Sequence, residues 1–209
     1  MTDEQIFDLV IDERYRFIDS LDDLNADQWN QASLCEGWRV RDVIGHLVSS
    51  LEVPMWKWVI GIARHRRFDV QSDILARRFG ADDPADLVKR YRAKAQTRFA
   101  PPMMGPRAPL SDVVIHSRDV GRPLGQATVV SEEAQRIVLG YLQSGEARGF
   151  VAKSLTKGLR FTATDLGLSL GDGPEVSGTG EAITMALAGR PVSDELAGEG
   201  ARAFRARLT

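Results

Sequence analysis

Three histidines, His46, His65 and His116, and a single cysteine, Cys35, are the whole supply of imidazole and thiol in this chain of 209 residues. In the stretch LSDVVIHSRDVG, residues 110–121, helical periodicity of about 100° per residue sets Asp112, His116 and Asp119 on one narrow stripe. Val113, Val114, Ile115 and Val120 cover the other directions, so this helix should be buried. Buried carboxylates and imidazoles are costly unless paired, and the stripe therefore needs a partner from outside its own segment. Asp112 and His116 stand at i and i+4, one above the other, which is the spacing of two ligands to one divalent ion. His46, beside Val43 and Leu47 on the flank of another apolar helical face, would supply a third ligand in an antiparallel bundle. Such a set leaves positions open for water or substrate, as a catalytic zinc site requires. The structural alternative is a core histidine with a satisfied hydrogen bond, and an Asp–His pair confined to one helix. Spacing alone leaves both readings open.

The remaining candidates are less specific. His65 lies in the basic run ARHRRF and is given no role. Cys35 reads as a buried small hydrophobe rather than a nucleophile. Trp29, Trp38, Trp56 and Trp58 read as core or helix-packing residues, and Trp38, next to Gly37, also as a wall for a pocket. The GDG at 171–173 lacks a following Lys-Ser/Thr and reads as a turn, not a phosphate loop.

The totals limit what these residues can serve. With 43% hydrophobic and 27% charged residues, the chain can bury a sizeable core, in one or two domains. Its 27 basic and 29 acidic residues give a net charge of -2, which provides no electrostatic footprint for nucleic acid or an anionic membrane surface. One cysteine excludes an intramolecular disulfide and any cysteine-based zinc cluster, so a metal must use histidine and carboxylate. No basic leader with an apolar run opens the sequence, and no window approaches the ~18 apolar residues of a membrane span. The expectation is a cytoplasmic protein with no nucleic-acid and no membrane partner; the residues set no oligomeric state.

The elements that must position the site follow from periodicity. Ile6, Leu9, Val10, Phe17 and Leu21 mark an amphipathic helix from Thr2 to Leu21, and Val40, Val43, Ile44, Leu47 and Leu51 mark a second, which Pro54 kinks or ends. MWKWVIGIARHRRF continues as helix, and DPADLVKRYRAKAQTRFA is another, with Asp83 as N-cap and Pro84 at N1. The proline-rich PPMMGPRAP is a loop. After it come the helix holding the stripe, a short β-like ATVV, and a helix from about Ser131 to Gln143. Beyond that, GLRFTATDLGLSLGDGPEVSG carries turns at 165–167 and 171–174 between hairpin-like strands. A short helix in TGEAITMALAGRPV and a last one across DELAGEGARAFRARL complete the chain. The fold class is therefore mainly α with a small α+β part, divided near residue 145 into a helical front, 1–145, and a small α+β rear, 146–209.

Two signatures and the rear segment resemble one known family. SLCEGWRVRDVIGHLVSS resembles the first signature of the mycothiol-dependent maleylpyruvate isomerases, in which a Cys-x-Gly-Trp turn opens the helix bearing a metal histidine. DVVIHSRDVGRPLG resembles the second, an acid and a histidine four apart followed by an Asp and a Leu-Gly. The rear, LRFTATDLGLSLGDGPEVSGTGEAITMALAGRPV through LAGEGARAFRARL, is similar to the family's small C-terminal domain, itself similar to part of a sterol-carrier fold. The three blocks stand in the family's order along nearly the whole chain.

The resemblance implies a DinB-like four-helix bundle that holds a divalent metal, usually zinc, through His46, Asp112 and His116. It also implies mycothiol as a low-molecular-weight thiol cofactor, and a small electrophilic substrate such as maleylpyruvate, handled by an isomerase or an S-transferase. Arg190 in LAGRP matches the family's C-terminal-domain arginine, which would bind an acidic substrate group. Asp119 is then a candidate to orient a ligand imidazole or to pair with an arginine. The chain departs from the pattern at Asp112, where the family has glutamate, and at Arg39, where threonine often caps the helix and where Asp42 is the available substitute. A non-catalytic binding or regulatory module on the same bundle and a metal hydrolase are the rival readings.

Overall fold

The computed structural model describes residues 1–147 and 150–208. It is mainly α with one small three-stranded sheet, the class expected from the sequence pattern. Among the described residues no helix is long and apolar enough to cross a membrane.

Local signals explain most helix boundaries. Thr2 and Gln5 cap α1 (Asp3–Asp19) reciprocally, with Thr2 N donating to Gln5 Oε1 at 2.8 Å and Gln5 N to Thr2 Oγ1 at 3.3 Å. Asn25 and Gln28 do the same for the short α2 (Ala26–Asn30). Next come α3 (Val40–Glu52) and α4 (Met55–His65), two helices rather than one, because Pro54 stands between them as the N-cap of α4. They are followed by α5 (Phe68–Gly80) and α6 (Pro84–Lys94), the latter capped by Asp83. The site stripe lies on α7 (Arg107–Gly121), and Ser131 caps α8 (Glu132–Gln143).

The sequence pattern runs the helix of α4 on to Phe68 and assigns no element to residues 69–80, where the structure has α5 (Phe68–Gly80). The reason is visible in its inward face. Gln71 and Ser72 are buried beside Leu75 and Ala76, while Phe68 and Ile74 are exposed, so the apolar period is broken from both sides. A second difference is at residues 127–130, which form no strand.

After α9 (Lys153–Thr156), β1 (Arg160–Ala163) pairs antiparallel with β2 (Leu168–Gly171), as a hairpin should. The third strand, β3 (Glu175–Gly178), does not extend that hairpin; it pairs parallel with the other edge of β1, giving the order β2-β1-β3. The turn makes this possible. Gly171 and Gly173 adopt φ of 84° and 120°, and a Cβ on Gly173 would lie 2.5 Å from the Gly158 carbonyl, so the backbone crosses tightly past the start of β1. Thr179 caps α10 (Gly180–Leu187). The expected last helix is instead a 3₁₀ turn at Ser193–Glu195 and the short α11 (Ala201–Arg205). Gly198, at φ 96°, interrupts it, and Ala197 bridges to Ser177.

The chain forms two compact units. One comprises residues Phe7–Phe99 and His116–Val129, the other Met1–Ile6, Ala100–Ile115 and Val130–Thr209. In the second, α8 packs on α10 and β2, which is why it groups with the sheet and not with the helices before it. Phe161 and Phe204 meet edge-to-face there at 5.4 Å. In the first, α3 packs against α5 and α6.

Candidate metal centre

The site is built outward from α3. Arg39, its N-cap residue, has no hydroxyl to offer, and Asp42 takes over the capping. Its Oδ2 accepts from the Arg39 backbone N–H at 3.0 Å and from Nε at 2.9 Å, while Oδ1 accepts from the other arm of the guanidinium at 3.0 Å. Asp42 is fully buried, and its hydrogen bond holds the Arg39 guanidinium above its ordinary pKa. A few residues on, α3 and α5 touch backbone to backbone. A Cβ on Gly45 would come within 2.4 Å of the Ala76 carbonyl and 2.5 Å of Gly80 N, so only glycine fits there.

That close approach sets Ser72 against His46. Ser72 Oγ lies 3.1 Å from His46 Nδ1, with both side chains buried. On α7, His116 Nδ1 lies 2.9 Å from Oδ2 of Asp119, which is fully buried one turn further along. The Asp119 carbonyl in turn accepts from Leu34 N at 2.9 Å and ties the loop before α3 to this helix. With Nδ1 engaged on both imidazoles, Nε2 is the nitrogen on each that can ligate a metal.

Trp38 closes one side. Its ring centroid is 5.3 Å from that of His46 and 6.1 Å from that of His116, and the two imidazoles are 4.9 Å apart at 63°. The indole N–H donates to Asp73 Oδ1 at 2.8 Å. Arg77 donates to the same oxygen at 2.8 Å and to the Gly37 carbonyl at 2.8 Å, which holds the turn that presents the tryptophan.

His46, Asp112 and His116 each bring one ligand atom to within 4.8 Å of the others, with both histidines buried and Asp112 half-buried. His46 and His116 belong to the same compact unit, and Asp112 precedes His116 by one turn of the same helix. Two imidazoles and a carboxylate around one point form a donor set that fits a divalent metal ion such as zinc. Among the described residues this is the only group of its kind.

Of the residues singled out from sequence, the structure brings together Trp38, His46, Asp112, His116 and Asp119. Arg190 lies on the turn after α10, with its backbone N–H bonded to the Met185 carbonyl and its guanidinium to the Ala188 carbonyl at 2.7 Å. His65 ends α4 and is not in the cluster. Cys35 is half-buried rather than a core residue. Trp29 and Trp58 are buried as expected, but Trp56 is 60% exposed, because α4 turns that face to solvent. Ser72, Asp73 and Arg77 escaped the sequence reading together, since all three sit on the unassigned α5. The spacing of Ser72, Leu75, Ala76 and Phe79 is the signal that would have found them.

Comparison with known proteins finds one family match and two similar solved structures. Residues 11–58, which include Trp38 and His46, match the family described as Mycothiol maleylpyruvate isomerase N-terminal domain. Among solved structures, the chain is similar to that of the mycothiol-dependent maleylpyruvate isomerase at 15% identity and a TM-score of 0.54, over 96% of this chain and 94% of that one. A histidine-to-alanine mutant of that enzyme matches with the same 15% identity, TM-score of 0.54 and coverage of 96% and 94%. No curated protein matches. The resemblance read from the two signatures and the mainly α fold are thus borne out.

Proposed function

On a chain whose front matches the mycothiol maleylpyruvate isomerase N-terminal domain, we propose a metal-dependent enzyme that uses mycothiol and acts on a small electrophilic substrate of the maleylpyruvate kind. It works as an isomerase or an S-transferase, in the cytoplasm. The observation that carries this reading is the convergence of His46, Asp112 and His116 within 4.8 Å. A bound dication supplies acidity to a coordinated thiol, whose pKa of about 8.5 otherwise leaves little thiolate near neutral pH.

The residues of the chain supply the rest. His46 and His116 present Nε2, and Asp112 offsets part of the dication's charge. Asp119 holds the His116 ring through Nδ1 and fixes its orientation as a ligand. Trp38 covers both imidazoles and keeps water from that side. In this reading the helical front, residues 1–145, holds the metal, and the rear, 146–209, supplies Arg190 as a fork for a substrate carboxylate.

The test is metal analysis of protein purified without a polyhistidine tag, followed by thiol-consumption assays with and without mycothiol, using maleylpyruvate and simple thiol-reactive electrophiles. About one ion per chain with mycothiol-dependent turnover supports the proposal. An ion without thiol dependence supports a metal hydrolase or a non-catalytic binding module instead. The module reading has one specific feature in its favour, Asp112 in the place of the family's glutamate.

A further inference from the structure

His46 and His116 reach the same point with unequal support. His116 finds its outer partner, Asp119, three residues along its own helix. For His46 the contact comes from a different helix. Asp42 is engaged with Arg39, and the hydroxyls of Ser49 and Ser50 donate to the backbone carbonyls of His46 and Leu47 at 2.9 Å and 2.8 Å. Its ring is met from α5, by Ser72 at 3.1 Å. Ser72 is 6% exposed, and the glycine contact of Gly45 with Ala76 and Gly80 fixes the distance between the two helices that this bond needs.

We propose that Ser72 is the positioning residue for His46: its hydroxyl oxygen accepts the Nδ1–H hydrogen bond and holds the imidazole in the tautomer whose Nε2 lone pair is left for a metal. The inference rests on the metal reading above. The direction of the bond follows from the chemistry of the pair. If Ser72 donated to Nδ1 instead, the ring proton would sit on Nε2 and that nitrogen could not ligate. A hydroxyl also orients the ring without adding charge, where Asp112 and Asp119 already place two carboxylates near one dication. Ser72 therefore acts through His46 and has no contact with substrate in this role.

The full chain tests this with two readouts. Zinc affinity by chelator competition should fall on the order of 10- to 100-fold in Ser72→Ala, and recover in Ser72→Thr, which restores the hydroxyl. In metal-free protein, long-range proton–nitrogen NMR should show His46 protonated on Nδ1 in the parent and shifted toward Nε2 in Ser72→Ala. Ser49→Ala, which removes a buried hydroxyl bonded only to the His46 carbonyl, should change neither. Parental affinity in Ser72→Ala, or an Nε2–H tautomer in the parent, overturns the proposal. So does an equal loss in Ser49→Ala, which would make the effect one of packing. If the alanine variant does not fold, the parental tautomer and the threonine variant still decide. A parent that binds no zinc yet holds His46 on Nδ1 would sink the metal function and leave the Ser72 contact standing.

Discussion

The indole of Trp38 is stacked on the imidazole of His116, with the ring planes 27° apart and the centroids at 6.1 Å. If His116 ligates zinc, an indole this close reports the event. Zinc addition should change the emission of Trp38, and Trp38→Phe should remove that change while retaining the ion. A full emission change in Trp38→Phe would move the response to another tryptophan and detach Trp38 from the site.

His116→Ala should abolish binding of the single ion, measured as metal per chain after dialysis, because two ligands from one turn of α7 are reduced to one. His65→Ala should leave the content unchanged, since His65 ends α4 outside the cluster. Metal loss in the His65 variant alone would mean that a different set of ligands is used.

Asp112→Asn removes the carboxylate charge next to the ion and should weaken affinity by at least tenfold, about 1.4 kcal/mol. Asp112→Glu should keep or improve it, as the longer side chain retains the charge. Equal affinity in the parent and the asparagine variant would show that Asp112 is not a ligand.

Gly45→Ala should destabilise the fold by about 1–3 kcal/mol or more, because its Cβ would meet the Ala76 carbonyl at 2.4 Å and neither backbone can yield cheaply. Thermal unfolding reads that loss. Zinc affinity should drop with it, since the same displacement separates Ser72 from His46. A variant with parental melting temperature and parental affinity would show that the helices part without consequence.

Arg190→Lys keeps the charge and loses the two-pronged fork. If Arg190 clamps a substrate carboxylate, kcat/KM should fall by at least tenfold with little change in melting temperature. Full activity would end that role and leave Arg190 to the turn after α10, where it already bonds the Ala188 carbonyl.

What the sequence by itself determined was local. The cap at Asp83 and the apolar stripes of the other helices act within one or two helical turns, and the structure adds caps of the same local kind at Thr2, Ser131 and Thr179. The i, i+4 pairing of Asp112 with His116 is of the same kind, as is the place of His46 on the flank of an apolar face. Only the tertiary structure decided how these pieces are completed. Ser72 meets His46 from 26 residues away, and Asp73 meets Trp38 from 35, both on a helix whose buried face is partly polar and so carries no clean period. The parallel pairing of β3 with β1 was hidden for a related reason. Alternation along a strand shows which side chains share a face, but the choice of neighbour was made by the glycine turn at 171–174, whose tight passage past Gly158 and Leu159 brings the chain to the far edge of β1.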